Sequence, residues 1–121
     1  MTGLELPLLT KWLVALLLTL VIETPIYAFM GRRYARVSRC VAGGVAGTLM
    51  THPLLWFAWR HAIDHYLLRT VTGEALVCMA EGVVLWAVAR PIDFKKALAV
   101  SLVANGTSYG IGVLLHILRI L

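Results

Sequence analysis

The sequence predicts an all-α integral membrane protein, built as a four-helix transmembrane bundle. Of its 121 residues, 60% are hydrophobic and 14% are charged, and the mean hydropathy is +0.85. A soluble domain of this size needs fewer apolar residues to fill its core. The apolar residues fall into four runs separated by three short polar connections. Because about 20 helical residues cross a hydrocarbon layer about 30 Å thick, each run is long enough to span a membrane.

We expect one domain, residues 1–121, with helices at about residues 7–30, 40–59, 70–89 and 94–118. The first run begins at Pro7, a residue favoured in a first helical turn, and Trp12 is typical of an interfacial anchor. Glu23 stands two residues before Pro25, so a kink is expected beside this carboxylate. The N-terminal residues lack the basic stretch and cleavage site of a secretory signal, so the first run is expected to be retained.

The basic residues indicate an orientation. Four lie on one side of the predicted membrane: Lys11, Arg60, Arg69 and Arg119. Seven lie on the other side, in or beside two connections: Arg32, Arg33, Arg36, Arg39, Arg90, Lys95 and Lys96. The positive-inside rule places these two connections in the cytoplasm and both termini on the outer, periplasmic side of a bacterial inner membrane. Such charges contact lipid head groups, so we expect membrane lipids as partners and no nucleic acid.

The third run carries two carboxylates. Glu74, Cys78 and Glu81 are spaced four and three residues apart, which places them on one stripe of a helix. A lipid-facing carboxylate is costly, so this stripe is expected to face protein. Glu74 lies in the first turns, near the head groups, whereas Glu81 lies near mid-helix and needs hydrogen-bond donors or a proton.

The other runs contain polar residues that could form hydrogen bonds with these carboxylates. Ser101 and Asn105 lie on a small and polar stripe of the fourth run, where Asn105-Gly106 could also break the helix, and His52 directly precedes Pro53 in the second. Interiors of membrane bundles use such stripes for interhelical hydrogen bonds. The predicted interior network comprises Glu23, His52, Glu74, Glu81, Ser101 and Asn105.

Two glycine pairs predict close helix packing. Gly43 and Gly47 in the second run, and Gly106 and Gly110 in the fourth, each follow a small-x-x-x-small pattern. Without side chains at these positions, two helix backbones can approach closely within a membrane. The pairs are therefore expected to contact neighbouring helices or partner subunits.

The connection before the third helix contains two histidines. His61 and His65 are one helical turn apart, a spacing that could bring two imidazoles to one metal ion, and His116 is predicted on the same side of the membrane. The other interpretation is an interfacial helix over residues 60–69, followed by a third helix capped by Thr70 or Thr72. Since no complete ligand set is present, we expect no cofactor; haem or metal bound by His61, His65 or His116 is the alternative.

Three classes of function fit these observations. The sequence favours a non-enzymatic accessory or structural subunit, whose buried polar network maintains helix packing and whose partners are other membrane subunits or a second copy. The first alternative is a proton or cation transport component that uses Glu23 and Glu81. The second is a haem- or metal-binding membrane redox protein or enzyme built on the outer histidines.

Three segments carry a resemblance to known proteins. THPLLWF, GEALVCMAEG and SLVANGTSYGIG resemble segments of a group of small, four-helix bacterial membrane proteins. The resemblance covers the second to fourth runs. It implies the fold, and it implies no activity for any residue.

Overall fold

The computed structural model describes residues 5–59 and 64–119, which form four long helices. They are α1 (Glu5–Gly31), α2 (Val37–Leu54), α3 (Tyr66–Val88) and α4 (Phe94–Ile117), with one π-helical turn, Leu55–Trp59, continuing α2. The all-α prediction is confirmed. All four helices, α2 together with its π turn, are long and apolar enough to cross a membrane, as expected of a multi-pass membrane protein.

Consecutive helices run antiparallel and form a ring, with α4 packed back against α1. On α2, Gly43 packs against Leu85, while on α3 Gly82 packs against Leu98. The start of α1 and the end of α4 therefore lie at one end of the bundle. The connections 32–36 and 89–93 lie together at the other, where Arg39 Nη1 donates to the Arg90 carbonyl at 3.5 Å. We call this the basic end.

The packed core lies in the half of the bundle nearest the basic end. Its buried apolar side chains come from all four helices and from the connection before α4; they are Tyr27, Cys40, Leu85, Ala89, Ile92, Ala97, Val100 and Ala104. Large apolar side chains on the outer faces stay exposed, among them Leu17, Val21, Met50, Leu102 and Ile117. This distribution suits a bundle surrounded by lipid, because lipid imposes no cost on an exposed apolar side chain.

The third helix begins at Tyr66, earlier than residue 70. His65 is its N-cap, and the imidazole Nδ1 accepts a hydrogen bond from the Leu68 N–H at 3.2 Å. The prediction that Thr70 or Thr72 caps this helix is therefore wrong. The Thr72 hydroxyl instead donates to the Leu68 carbonyl at 2.6 Å within the first turns. A neutral imidazole nitrogen can accept an N–H bond as a hydroxyl oxygen does, which lengthens α3 toward the opposite end.

The described residues also do not form a separate interfacial helix over residues 60–69. Residues 64 and 65 are non-helical, residues 66–69 belong to α3, and residues 60–63, with His61, lie outside the described residues. The fourth helix is continuous through Asn105, whose Nδ2 donates to the Ser101 carbonyl at 2.9 Å. The helix break considered for Asn105 is therefore absent.

Candidate functional site: a buried carboxyl pair

Two glutamates meet at the centre of the bundle. Glu23 of α1 is 2% exposed and Glu81 of α3 is 1% exposed. The hydroxyl of Thr48 on α2 lies 3.2 Å from Oε1 of each glutamate, so its one hydrogen can be donated to either. The shared Thr48 hydroxyl therefore brings the two carboxyl groups to the same point in the interior. The structure thus brings the two mid-membrane acids of the sequence into one site.

Hydroxyl groups supply the remaining hydrogen bonds of this carboxyl pair. The Tyr27 hydroxyl donates to Glu81 Oε1 at 2.9 Å, and Thr51 Oγ1 donates to Glu81 Oε2 at 3.1 Å. Ser108 Oγ of α4 donates to Glu23 Oε2 at 2.5 Å. All four carboxyl oxygens are therefore engaged, with side chains from all four helices. Every one of these donors is neutral.

Helical spacing explains why these side chains converge. Glu23 and Tyr27 are four residues apart on α1, and Thr48 and Thr51 are three apart on α2, so each pair shares a helix face. The Tyr27 hydroxyl crosses from α1 to Glu81 on α3. Because α1 and α3 both pack against α2, the polar faces of these three helices meet at the carboxyl pair.

Two glycines of α2 let the neighbouring helices reach this point. A Cβ at Gly44 would lie 2.5 Å from Cγ of the Tyr27 ring, and a Cβ at Gly47 would lie 3.1 Å from Glu81 Cγ. Real Cβ atoms do not approach the first distance, so a side chain at residue 44 would push α1 away. The absence of these side chains positions both Tyr27 and Glu81.

Within the described part of the chain, the carboxyl pair has no counter-charge, because no Lys, Arg or His side chain there forms an ion pair with Glu23 or Glu81. The titratable groups that face the pair are Tyr27 of α1 and Glu74 and Cys78 of α3, while α2 and α4 present hydroxyls. Two carboxylates that share one hydroxyl and have no cation beside them repel each other strongly in a water-poor interior. One proton between them removes the repulsion and adds a donor.

Ser101 and Asn105 form a second set of hydrogen bonds beside the pair. Ser101 Oγ donates to the Cys78 carbonyl at 2.8 Å, and Asn105 Nδ2 lies 3.2 Å from Ser101 Oγ. The Ser108 hydroxyl lies within hydrogen-bonding distance of both the Asn105 carbonyl, at 3.1 Å, and Glu23 Oε2, and its one hydrogen can be donated to either. This set joins α4 to α3 and continues into the carboxyl pair.

Two members of the predicted network lie apart from these hydrogen bonds. Glu74 lies close enough to Glu81 for their charges to interact, but it makes no hydrogen bond with another described residue. His52 packs in an aromatic cluster toward the end opposite the basic end, with ring centroids 6.4 Å from Trp12 and 6.2 Å from Trp56. Its buried Nδ1 has no partner among the described residues.

The candidate metal ligands are not assembled in the described part of the chain. His65 caps α3 with its Nδ1, and His116 is exposed near the end of α4. His61 lies outside the described residues. Across residues 5–59 and 64–119, no group of three or more His, Cys, Asp and Glu side chains could hold a metal ion.

The two glycine pairs have different surroundings. Gly43 and Gly47 pack against α3, where added Cβ atoms would lie 3.1 Å from Leu85 Cδ1 and from Glu81 Cγ. A Cβ added at Gly106 or Gly110 would have no heavy atom of the other described residues within 4 Å, apart from the nearby backbone of α4 itself. The first pair serves packing within the bundle, whereas the second lies on an open face of α4.

Sequence reasoning did not include Tyr27 in the site. The sequence does contain an indication of its role, because Tyr27 follows Glu23 by one helical turn and a buried tyrosine hydroxyl normally forms a hydrogen bond. The identity of that partner, Glu81 on a helix that is not adjacent in sequence, required the structure.

Comparisons of the chain with protein-family models, with curated proteins and with solved structures find no match. The function proposed below therefore depends on the geometry of the carboxyl pair.

Proposed function

We propose that this protein is a proton-linked component of a membrane transport system, in which the Glu23–Glu81 pair takes up and releases the proton. One observation supports the proposal: two carboxyl groups share the Thr48 hydroxyl in the bundle interior and have only neutral donors. Intramembrane acids of this kind are typical of proton pathways.

The hydroxyl groups around the pair can follow a change in its protonation. The Thr48 hydroxyl has one hydrogen and two carboxyl oxygens at equal distance, so rotation transfers its hydrogen bond from Glu23 to Glu81. Thr51 has a similar choice between Glu81 Oε2 at 3.1 Å and the Gly47 carbonyl at 3.0 Å. Loss of the shared proton can thus be compensated without moving a helix.

The next acid along the stripe is Glu74, which lies toward the end opposite the basic end. It interacts electrostatically with Glu81 and lies on the same helix face, with Cys78 between them. In the orientation that the positive-inside rule favours, the basic end faces the cytoplasm of a bacterial cell. Glu74 is then the outer acid of the path, and both ends of the chain are periplasmic.

The proposal is tested by infrared spectroscopy of the protein in lipid, following the carbonyl stretch of protonated carboxyl groups. We expect a protonated-carboxyl band that disappears reversibly as the pH is raised, since deprotonation removes it. Glu23→Gln and Glu81→Gln should each abolish this titrating band because the proton is shared. In Glu74→Gln, the matched control, the band of the pair should persist.

Proton flux into liposomes, driven by a potassium diffusion potential, provides the functional measurement. Glu23→Gln and Glu81→Gln should each lower the flux by about tenfold or more, as expected when a proton-transfer group is removed. A carboxyl band that never titrates, together with unchanged flux in both variants, would show that the pair is a fixed packing element.

An accessory role within a larger assembly is the second candidate, and the open face of α4 favours it. Gly106 and Gly110 are exposed, and the rest of the described chain leaves the space above them open. In a membrane, a glycine face of this kind allows close approach of a helix from a partner subunit or a second copy. The two candidates are compatible, because a small proton-linked component can require a partner.

Purification in gentle detergent tests the accessory role. We expect stoichiometric partners or a homo-oligomer with the native protein, and loss of this association in Gly110→Leu, whose side chain fills the open face. Ala75→Leu, at an exposed position on α3, is the control that should retain the association. A native protein that purifies alone as a monomer contradicts the role.

A further inference from the structure

An apolar groove opens on the side of the bundle between α2 and α3. Its volume is about 350 Å³, within the range of small-molecule pockets. The rim residues Leu54 and Leu76 are largely exposed, so the groove faces the surroundings of the bundle and not its core. The lining includes Thr51, Leu54, Leu55, Trp59, Leu76 and Val77.

The walls of the groove are held in place. They include the π-helical turn Leu55–Trp59, which follows Pro53. Trp59 Nε1 donates to the Arg69 carbonyl of α3 at 3.1 Å. A Cβ at Gly73 would lie 2.8 Å from Trp59 Cδ1, so the indole packs directly on α3. The groove is therefore preformed, and π turns of this kind occur frequently at functional sites.

Thr51 links the groove to the carboxyl pair. It is the one hydroxyl-bearing residue of the lining, and this hydroxyl donates to Glu81 Oε2 at 3.1 Å. The acids thus lie one hydroxyl group beyond the wall of the groove. The titratable groups that face Glu81 are Glu23 and Tyr27 of α1 and Glu74 and Cys78 of α3, none of them cationic at neutral pH.

We propose that the groove binds a lipophilic organic cation, with its charge beside Thr51 and its apolar body along the groove. The charge complements the carboxyl pair, and the attraction is strong because little water separates them. The proposal rests on the proposed function and extends it by naming the class of solute that would exchange with the proton. An acyl chain would gain the apolar contacts alone.

Equilibrium binding to the purified protein in phosphatidylcholine nanodiscs tests the charge. The probe is radiolabelled benzyltrimethylammonium, and the competitor is neopentylbenzene, its uncharged isostere in which carbon replaces nitrogen. We expect the cation to bind about tenfold tighter than the isostere. Glu81→Gln should remove this preference. Equal affinity of the two compounds for the native protein would overturn the proposal and indicate an apolar or lipid site.

Two alanine variants of α3 test the location. Ala80→Phe fills the groove and should weaken cation binding by about tenfold or more. Ala75→Phe introduces the same side chain at an exposed position outside the lining and should leave the affinity unchanged. Equal affinity in both variants would place the cation elsewhere and overturn the proposal.

The same variants separate this proposal from the proton-linked function. Ala80→Phe retains both carboxyl groups and their hydroxyl donors, so its carboxyl band should still titrate with pH. If the band titrates but the native protein does not prefer the cation over the isostere, only the groove proposal fails. If the preference is found and the band never titrates, cation binding is supported and proton exchange fails.

Discussion

Glu81→Leu is expected to lower the free energy of unfolding of the bundle by about 3 kcal/mol, whereas Glu81→Gln should lower it by less than about 1 kcal/mol. Leucine leaves the hydroxyls of Tyr27, Thr48 and Thr51 without the acceptor they share; the first two residues are buried and the third is half-buried. Each unsatisfied buried group costs about 1 to 3 kcal/mol, reduced where another acceptor is within reach. Glutamine keeps an acceptor and offers an amide N–H to Glu23.

Reversible unfolding in mixed micelles of mild detergent and dodecyl sulfate, followed by circular dichroism, measures this difference. The glutamine variant is the matched control, since it differs from the native residue by one terminal atom. Equal destabilisation by leucine and glutamine would mean that the negative charge of Glu81 itself stabilises the bundle. The shared-proton arrangement would then be contradicted.

Gly44→Ala is expected to lower the free energy of unfolding by about 2 kcal/mol, within the range for overpacking a buried contact. The added Cβ would lie 2.5 Å from Cγ of Tyr27. This ring is fully buried and its hydroxyl is bonded to Glu81, so it has no free space to rotate into. Either α1 moves from α2 or the Tyr27–Glu81 hydrogen bond lengthens, and the infrared band of the carboxyl pair should shift with it.

Gly110→Ala is the control for this substitution, because an added Cβ there has no heavy atom within 4 Å. It makes the same chemical change in another helix and should not lower the unfolding free energy of the isolated bundle, because alanine favours the helix more than glycine does. Equal destabilisation by the two variants would contradict the close contact of α1 with α2. The position of Tyr27 in the site would then need another explanation.

The carboxyl pair lies at a transition in packing along the bundle. Toward the basic end, the core contains closely packed apolar side chains such as Leu85, Ala97 and Val100. Toward the opposite end, α2 changes to a π turn and separates from α3 around the groove. The carboxyl pair therefore lies between the closely packed apolar core and the groove.

Local properties of the sequence were sufficient to predict the four helices. A helix can span a membrane if it is long and apolar enough, and both properties can be judged from one segment of the sequence alone. The interior placement of Glu23 and Glu81 also followed, since a lipid-facing carboxylate is costly. The start of α3 was not predicted correctly, because an imidazole cap by His65 competed with the hydroxyl caps of Thr70 and Thr72.

Only the tertiary structure decided which polar groups meet. Helical periodicity shows which residues share a face of one helix, but the rotation and depth of that helix depend on contacts with its neighbours. These contacts brought Glu23 to Glu81, left His52 among aromatic rings, and turned Gly106 and Gly110 to an open face. The close approach of α1 and α2 at Gly44 and Tyr27 is one such contact, and no single segment of the sequence specifies it.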